Sequence, residues 1–180
     1  PKLHVMSKFI DGFQELGEHF IRDYKQSVHK DSYCYLYNEE KLPLRGFGRV
    51  IVIGILIHDY DCVGNSGGNM GYVINHEKKY AEIVKIDPGE ALSFAYDMSH
   101  AEGLENPPEK REALLGTNGS RLSYDELSQD DQKELIQAAR EILKTPDSKI
   151  EEVFQPFLKL DERFQTILNH LLKRKEDLLN

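Results

Sequence analysis

The sequence predicts an α+β fold, mostly helical, with one short antiparallel β-hairpin. Three observations carry that prediction. Residues 123–180 hold three stretches with apolar residues at helical spacing, each opened by a capping residue. Residues 71–75 and 80–86 are β-prone runs on either side of the turn His76-Glu77-Lys78-Lys79. The composition, 39% hydrophobic and 30% charged over 180 residues, is that of a globular chain long enough to bury a core.

Taken in order, residues 3–10 (LHVMSKFI) read as a short strand. Phe9, Ile10, Phe13, Leu16, Phe20, Ile21 and Tyr24 then recur at spacings of three and four, which predicts a helix. Residues 31–37, with Tyr33, Tyr35 and Tyr37, fit a strand or an irregular packed segment, and Gly46-Phe47-Gly48 punctuates the chain. Residues 49–58 (RVIVIGILIH) fit a buried strand by their β-branched content and a buried helix by their length and Gly54. A glycine-rich loop, residues 59–71 (DYDCVGNSGGNMG), leads into the hairpin, which ends at the turn Asp87-Pro88-Gly89. Residues 99–122, with Pro107-Pro108, read as loop. Ser128 caps a helix bearing Leu135, Ile136, Ala139, Ile142 and Leu143, which Thr145-Pro146 stops. Ser148-Lys149-Ile150-Glu151 is a capping-box sequence for the next helix. Asp161 caps the last, with Phe164, Ile167, Leu168, Leu171 and Leu172 on one face. No repeat or linker divides residues 1–180.

The net charge of −8 argues against a nucleic-acid partner, because that affinity rests on Lys and Arg neutralising phosphates. Cys34 and Cys62 form no CxxC and no disulfide framework, which points to a reducing, cytoplasmic compartment. The chain opens Pro1-Lys2-Leu3, with neither an initiator Met nor a signal-peptide pattern, and so reads as cut from something longer. Lys173-Arg174-Lys175 is a basic triplet suited to an anionic membrane surface, although three charges at a helix end read first as a solvated face. The seven histidines are scattered, and only His58 is near the loop that carries chemistry. Cys62 reads as a small packing residue between carboxylates.

That loop offers Asp59, Asp61, Asn65 and Asn69, and the hairpin ends at Asp87. Asp and Asn oxygens suit hard cations such as Mg²⁺ or Mn²⁺. An EF-hand reading starts at Asp59 and fails at Val63 and Met70, where oxygen ligands are required. A plain turn explains the Asp, Asn and Gly content by itself. A phosphoryl-transfer site needs one carboxylate to orient the acceptor hydroxyl, and an Asn and an Asp to hold metal on the phosphates. The order here, apolar element, Asp loop, Asn, hairpin, then Ile86-Asp87-Pro88-Gly89, is the order such sites use.

The stretch Gly54-Ile55-Leu56-Ile57-His58-Asp59-Tyr60-Asp61, with Asn69-Met70-Gly71-Tyr72-Val73 and Val84-Lys85-Ile86-Asp87-Pro88-Gly89, resembles the catalytic and metal-binding loops of the phosphatidylinositol-kinase-like superfamily. More narrowly it is similar to lipid-kinase-like and HipA-like kinases of bacteria, including secreted effectors. The resemblance, which covers about residues 1–95, implies the C-terminal lobe of a kinase-like domain. Residues 1–10 would hold the hinge strand, 49–95 the catalytic and metal loops, and 123–180 a helical subdomain, with the N-terminal lobe outside the chain. It implies that residues 49–57 are helical and that Val5, Met6 and Ser7 meet the adenine of ATP. Asp59, with Asp61 as the alternative, matches the catalytic Asp. Asn69, with Asn65 as the alternative, and Asp87 match the Mg²⁺ or Mn²⁺ ligands. The implied substrate is a phosphoinositide or a protein, and the implied location is the cytoplasm of a bacterium or of a host cell.

The sequence departs from the family pattern at four points. His58 replaces the Gly before the catalytic Asp, Tyr60 stands where many lipid kinases have Arg, residues 64–68 lengthen the Asp–Asn spacing, and Pro88 replaces Phe. No phosphate-covering Gly-rich loop lies before residue 46. A catalytically inactive kinase-like interaction module or helical scaffold is therefore the alternative expectation.

Overall fold

The computed structural model describes residues 10–17, 19–28, 34–37, 40–59, 62, 69–86, 92, 122–159, 161 and 163–179. Within them the chain is α+β. Five strands, β1 (Gln14–Glu15), β2 (Cys34–Tyr37), β3 (Glu40–Arg45), β4 (Met70–Asn75) and β5 (Tyr80–Lys85), form one sheet in the order β1-β4-β5-β3-β2. Five helices accompany it: α1 (Phe20–Val28), α2 (Phe47–Leu56), α3 (Gln129–Lys144), α4 (Asp147–Leu158) and α5 (Arg163–Glu176). None of the described helices is long and apolar enough to cross a membrane.

The hairpin is as the sequence reads it, antiparallel with Met70 opposite Lys85 and Asn75 opposite Tyr80. It is, however, the centre of a mixed sheet rather than an isolated ribbon. β3 pairs with β5 in parallel through Leu44↔Ala81 and Arg45↔Glu82, and carries β2 on its other edge. Pro43 lies inside β3, and a proline within a run argues against a strand from sequence alone. The helix expected from Phe9 starts only at Phe20. Gly12 and Gly17 take φ of 72° and 80°, which interrupts the helical path, and Gln14–Glu15 pairs with β4 instead. The expected strand at residues 3–10 lies outside the described residues except for Ile10, which is not in a strand.

Residues 47–56 are a helix, the choice left open between strand and helix by their composition. α2 runs through the core with only Arg49 and Ile53 exposed, packed between the sheet and α3. Apolar residues cover both sides of it, so no amphipathic period was available to identify it. Phe47, Ile51 and Val52 are fully buried, as are Met70 and Ala81 of the sheet and Leu135 and Ala139 of α3. Phe20 and Tyr24 of α1 meet Phe47 edge-on, with ring centroids 5.3 and 4.9 Å away.

Ser128 caps α3 as its sequence predicts, its Oγ accepting from Asp131 N at 3.1 Å. That cap belongs to a buried polar cluster. Tyr24 Oη and Ser128 Oγ both donate to Asp131 Oδ2, at 2.7 and 2.5 Å. Burial holds the Asp131 carboxyl above the ordinary carboxylate range, with Glu134 and Asp130 adding to the effect. The Ser148 capping box does not form. α4 starts at Asp147 with Pro146 as its N-cap, and the reciprocal box occurs instead at Ser123 and Glu126. Asp161 Oδ1 accepts from Arg163 N at 2.9 Å and so anchors the start of α5.

Candidate functional site

The C-terminal end of α2 sets the site. His58 N donates to Ile55 O at 3.3 Å, and Asp59 N donates to Gly54 O at 2.8 Å. These are the two bonds of a Schellman motif, whose turning residue has a positive φ and is usually glycine. Here that residue is His58, at φ 53°. Cys62, fully buried, folds back over the helix, its Sγ 3.1 Å from where a Cβ on Gly54 would sit. Gly54 thus lets the Cys62 side chain pack directly on α2.

The turn delivers Asp59 into the interior, where its side chain is 1% exposed. Lys85, the last residue of β5 and 15% exposed, places Nζ 3.0 Å from Asp59 Oδ2. The contact is an ion pair without hydrogen-bond alignment, and neither Asp59 oxygen accepts a hydrogen bond. Next to Lys85, Ile86 N donates to Asn69 O at 3.1 Å. Beyond the hairpin, Leu92 N donates to Ile57 O at 2.7 Å, returning the chain to the end of α2. The end of α2, Asn69 before β4, and the residues Lys85, Ile86 and Leu92 are therefore linked at one corner. Asp59 and Asn69 are both there, as are Ile86 and Leu92 on either side of Asp87 in sequence. Asp61, Asn65, Asp87, Val5, Met6 and Ser7 lie outside the described residues.

Two cations at this corner were not assigned by sequence reasoning. Lys85 interrupts the apolar run Ile83, Val84, Ile86, which is the one sign that its charge faces something specific. Arg174 of α5 donates from Nη2 to Ile55 O at 2.6 Å and from Nε to Leu56 O at 3.0 Å. Its neighbour Lys175 donates to Thr145 O at 2.5 Å and to Asp147 Oδ1, at the junction of α3 and α4. Arg174 and Lys175 are 3% and 6% exposed. The basic triplet is thus not a solvated face, and only Lys173 of the three is open to solvent.

Among the described residues no group of three His, Cys, Asp or Glu side chains is placed to hold a metal ion. What the corner does offer is Asp59 Oδ1, a buried acceptor with no donor. One buried carboxylate already ion-paired with Lys85 does not by itself make a Mg²⁺ site among the described residues. Compared with protein-family profiles, curated proteins and solved structures, the chain gives no significant match.

Proposed function

We propose that this corner is the ATP- and metal-dependent phosphoryl-transfer site of a phosphatidylinositol-kinase-like C-terminal lobe, acting on a hydroxyl of a phosphoinositide or a protein. The observation that supports it most is the hairpin register. It sets Asn69 against Ile86, the residue before Asp87, and brings Lys85 of the same strand onto Asp59. In this reading Asp59, or Asp61, orients the acceptor hydroxyl. Asn69, or Asn65, and Asp87 hold Mg²⁺ or Mn²⁺, which neutralises charge on the phosphates. Val5, Met6 and Ser7 meet the adenine, and an N-terminal lobe is the partner that completes the nucleotide site. A cytoplasmic location, or delivery into a host cell, goes with the reading.

His58 adds support. It has the positive φ that glycine adopts without strain, at the position where the resembled family carries Gly. The experiment is phosphoryl transfer from ATP, with Mg²⁺ or Mn²⁺, by protein that includes an N-terminal lobe. Asp87→Ala abolishes transfer if Asp87 holds the metal, and unchanged turnover removes that assignment.

A second reading has its own observation. The Asp59 side chain is 1% exposed and already carries a cation, which suits an inactive kinase-like interaction module. Absence of both nucleotide binding and transfer in the same experiment selects it.

A further inference from the structure

Helix α4 is 12 residues long, carries Pro156 in its interior and has no fully buried residue. A helix of that length is marginal in water by itself, and an interior proline removes one of its hydrogen bonds. Packing against other elements has to hold it. On one side it does, where Ile150 and Phe154 lean on the core. The adjoining side is bare: Val153 is 66% and Phe157 37% exposed. The Phe164 ring of α5, 5.4 Å from that of Phe157, widens the apolar patch. Lys149, Val153, Phe157 and Asp161 follow one another at intervals of four residues, which makes them one ridge of the helix surface. Asp161 belongs to the ridge because its N donates to Phe157 O at 3.3 Å, which carries the helical turn past the end of α4.

We infer that this ridge is where a second copy of the chain docks, antiparallel about a two-fold axis. The order along the ridge is cation, apolar, apolar, anion, and that order is self-complementary. Lys149 and Asp161 are each six residues from position 155, and Val153 and Phe157 are each two residues from it. A two-fold axis there sets each Lys149 beside the partner's Asp161 and each Val153 against the partner's Phe157. Ridges of four-residue spacing interdigitate in the commonest helix packing, and an isologous contact of this kind closes on itself. Asp161 already accepts from the exposed Arg163, and a carboxylate has acceptor sites for a second cation. Glu151 and Glu152, exposed beside the ridge, oppose an anionic bilayer as the occupant. One ridge per copy makes a small interface, below roughly 1,200 Å² in total, so the dimer is reversible and concentration-dependent.

The test is sedimentation velocity of the chain from micromolar to submillimolar concentration. The wild type moves reversibly from monomer to dimer. Val153→Glu, a change at an exposed position, keeps the far-UV circular dichroism of the wild type and weakens dimerisation at least about tenfold. Lys149→Gln and Asp161→Asn each weaken it about threefold, and the double variant is no weaker than either, because both changes break the same pair. Asp161→Asn keeps an oxygen for Arg163 N, so the start of α5 is retained. A wild type that stays monomeric throughout overturns the inference. So does a dimer that Val153→Glu leaves intact, and so do losses that multiply in the double variant. A monomer that instead binds phosphatidylserine vesicles, and loses that binding in Val153→Glu, gives the face to a bilayer and overturns it too. None of these outcomes depends on the phosphoryl-transfer reading.

Discussion

Arg174 Nη2 donates to the carbonyl oxygen of Ile55 at 2.6 Å, joining residues 119 apart in sequence. The carbonyls at a helix C-terminus carry the negative end of the helix dipole and have no partners within the helix. The guanidinium serves two of them at once, Ile55 and Leu56, and does so while buried. α5 therefore fixes the place where α2 turns into His58 and Asp59. Arg174→Met keeps much of the volume and loses both charge-assisted bonds, at a cost of about 3 kcal/mol. Lys at the same position reaches one carbonyl but cannot fork, so Arg174→Lys falls between the two. Urea denaturation of the three proteins checks this order.

The other end of α2 is held by α3. Gly46 N donates to Glu134 Oε1 at 3.0 Å and Gly48 N donates to Oε2 at 3.1 Å, which puts a carboxylate on the positive end of the dipole. The approach is so close that a Cβ on Gly48 would lie 2.3 Å from Asp131 O and 2.6 Å from Leu135 N. Both atoms are backbone and neither can step aside. Gly48→Ala must push the two helices apart, costing about 3 kcal/mol as overpacking does. Glu134→Gln keeps one acceptor and costs roughly 1 kcal/mol, in the range of a weakened cap. Equal urea midpoints for Gly48→Ala and the wild type would contradict the packing.

The features legible in the sequence are the local ones. Ser128 announces α3 because a cap lies within three residues of what it caps, and the hairpin shows because β4 and β5 are joined by four residues. Asp59 and Asn69 are readable only as candidate oxygen-bearing residues beside a glycine-rich stretch. What was hidden is non-local. The partner of Asp59 is set by the register of β5, and the partners of Arg174 lie on a helix more than a hundred residues away. Arg174 and Lys175 look like surface charge because a triplet of cations carries no sign of the carbonyls it will meet. α2 was ambiguous for another reason: a helix buried on nearly every side has no polar face to set its period.

His58 carries strain that can be measured. A non-glycine residue in the left-handed region costs roughly 1 kcal/mol or more, and His58 is held there by the two Schellman bonds that position Asp59. Removing the side chain also removes the contacts it makes, so the informative comparison is between two truncations. His58→Gly and His58→Ala both lose the imidazole, but only Gly relieves the backbone. The Gly protein is expected to be more stable than the Ala protein by about 1 kcal/mol, a difference of roughly 2–4 °C in Tm for a domain of this size. Equal melting temperatures would mean that the turn is not left-handed in solution.

Asp131 makes stability depend on pH in the direction opposite to an ordinary paired carboxylate. Burial raises its folded-state pKa above the usual 3.8, so the native state keeps a proton that the unfolded chain has already released. Stability from this group is fully present below the unfolded value and is lost as pH rises through the folded one. Glu126 and Asp161 act the other way. Lys25 and the Ser123 backbone lower the first, and Arg163 lowers the second, so their contributions are lost as pH falls. Asp131→Asn retains a carbonyl oxygen for Tyr24 and Ser128 but has nothing to titrate. The effects of Glu126 and Asp161 are common to both proteins and cancel in the difference. The wild type should therefore lose stability relative to Asp131→Asn as pH rises from about 4 toward neutrality. Urea midpoints of the two proteins across that range measure it, and parallel curves would show that Asp131 titrates alike in the folded and unfolded states.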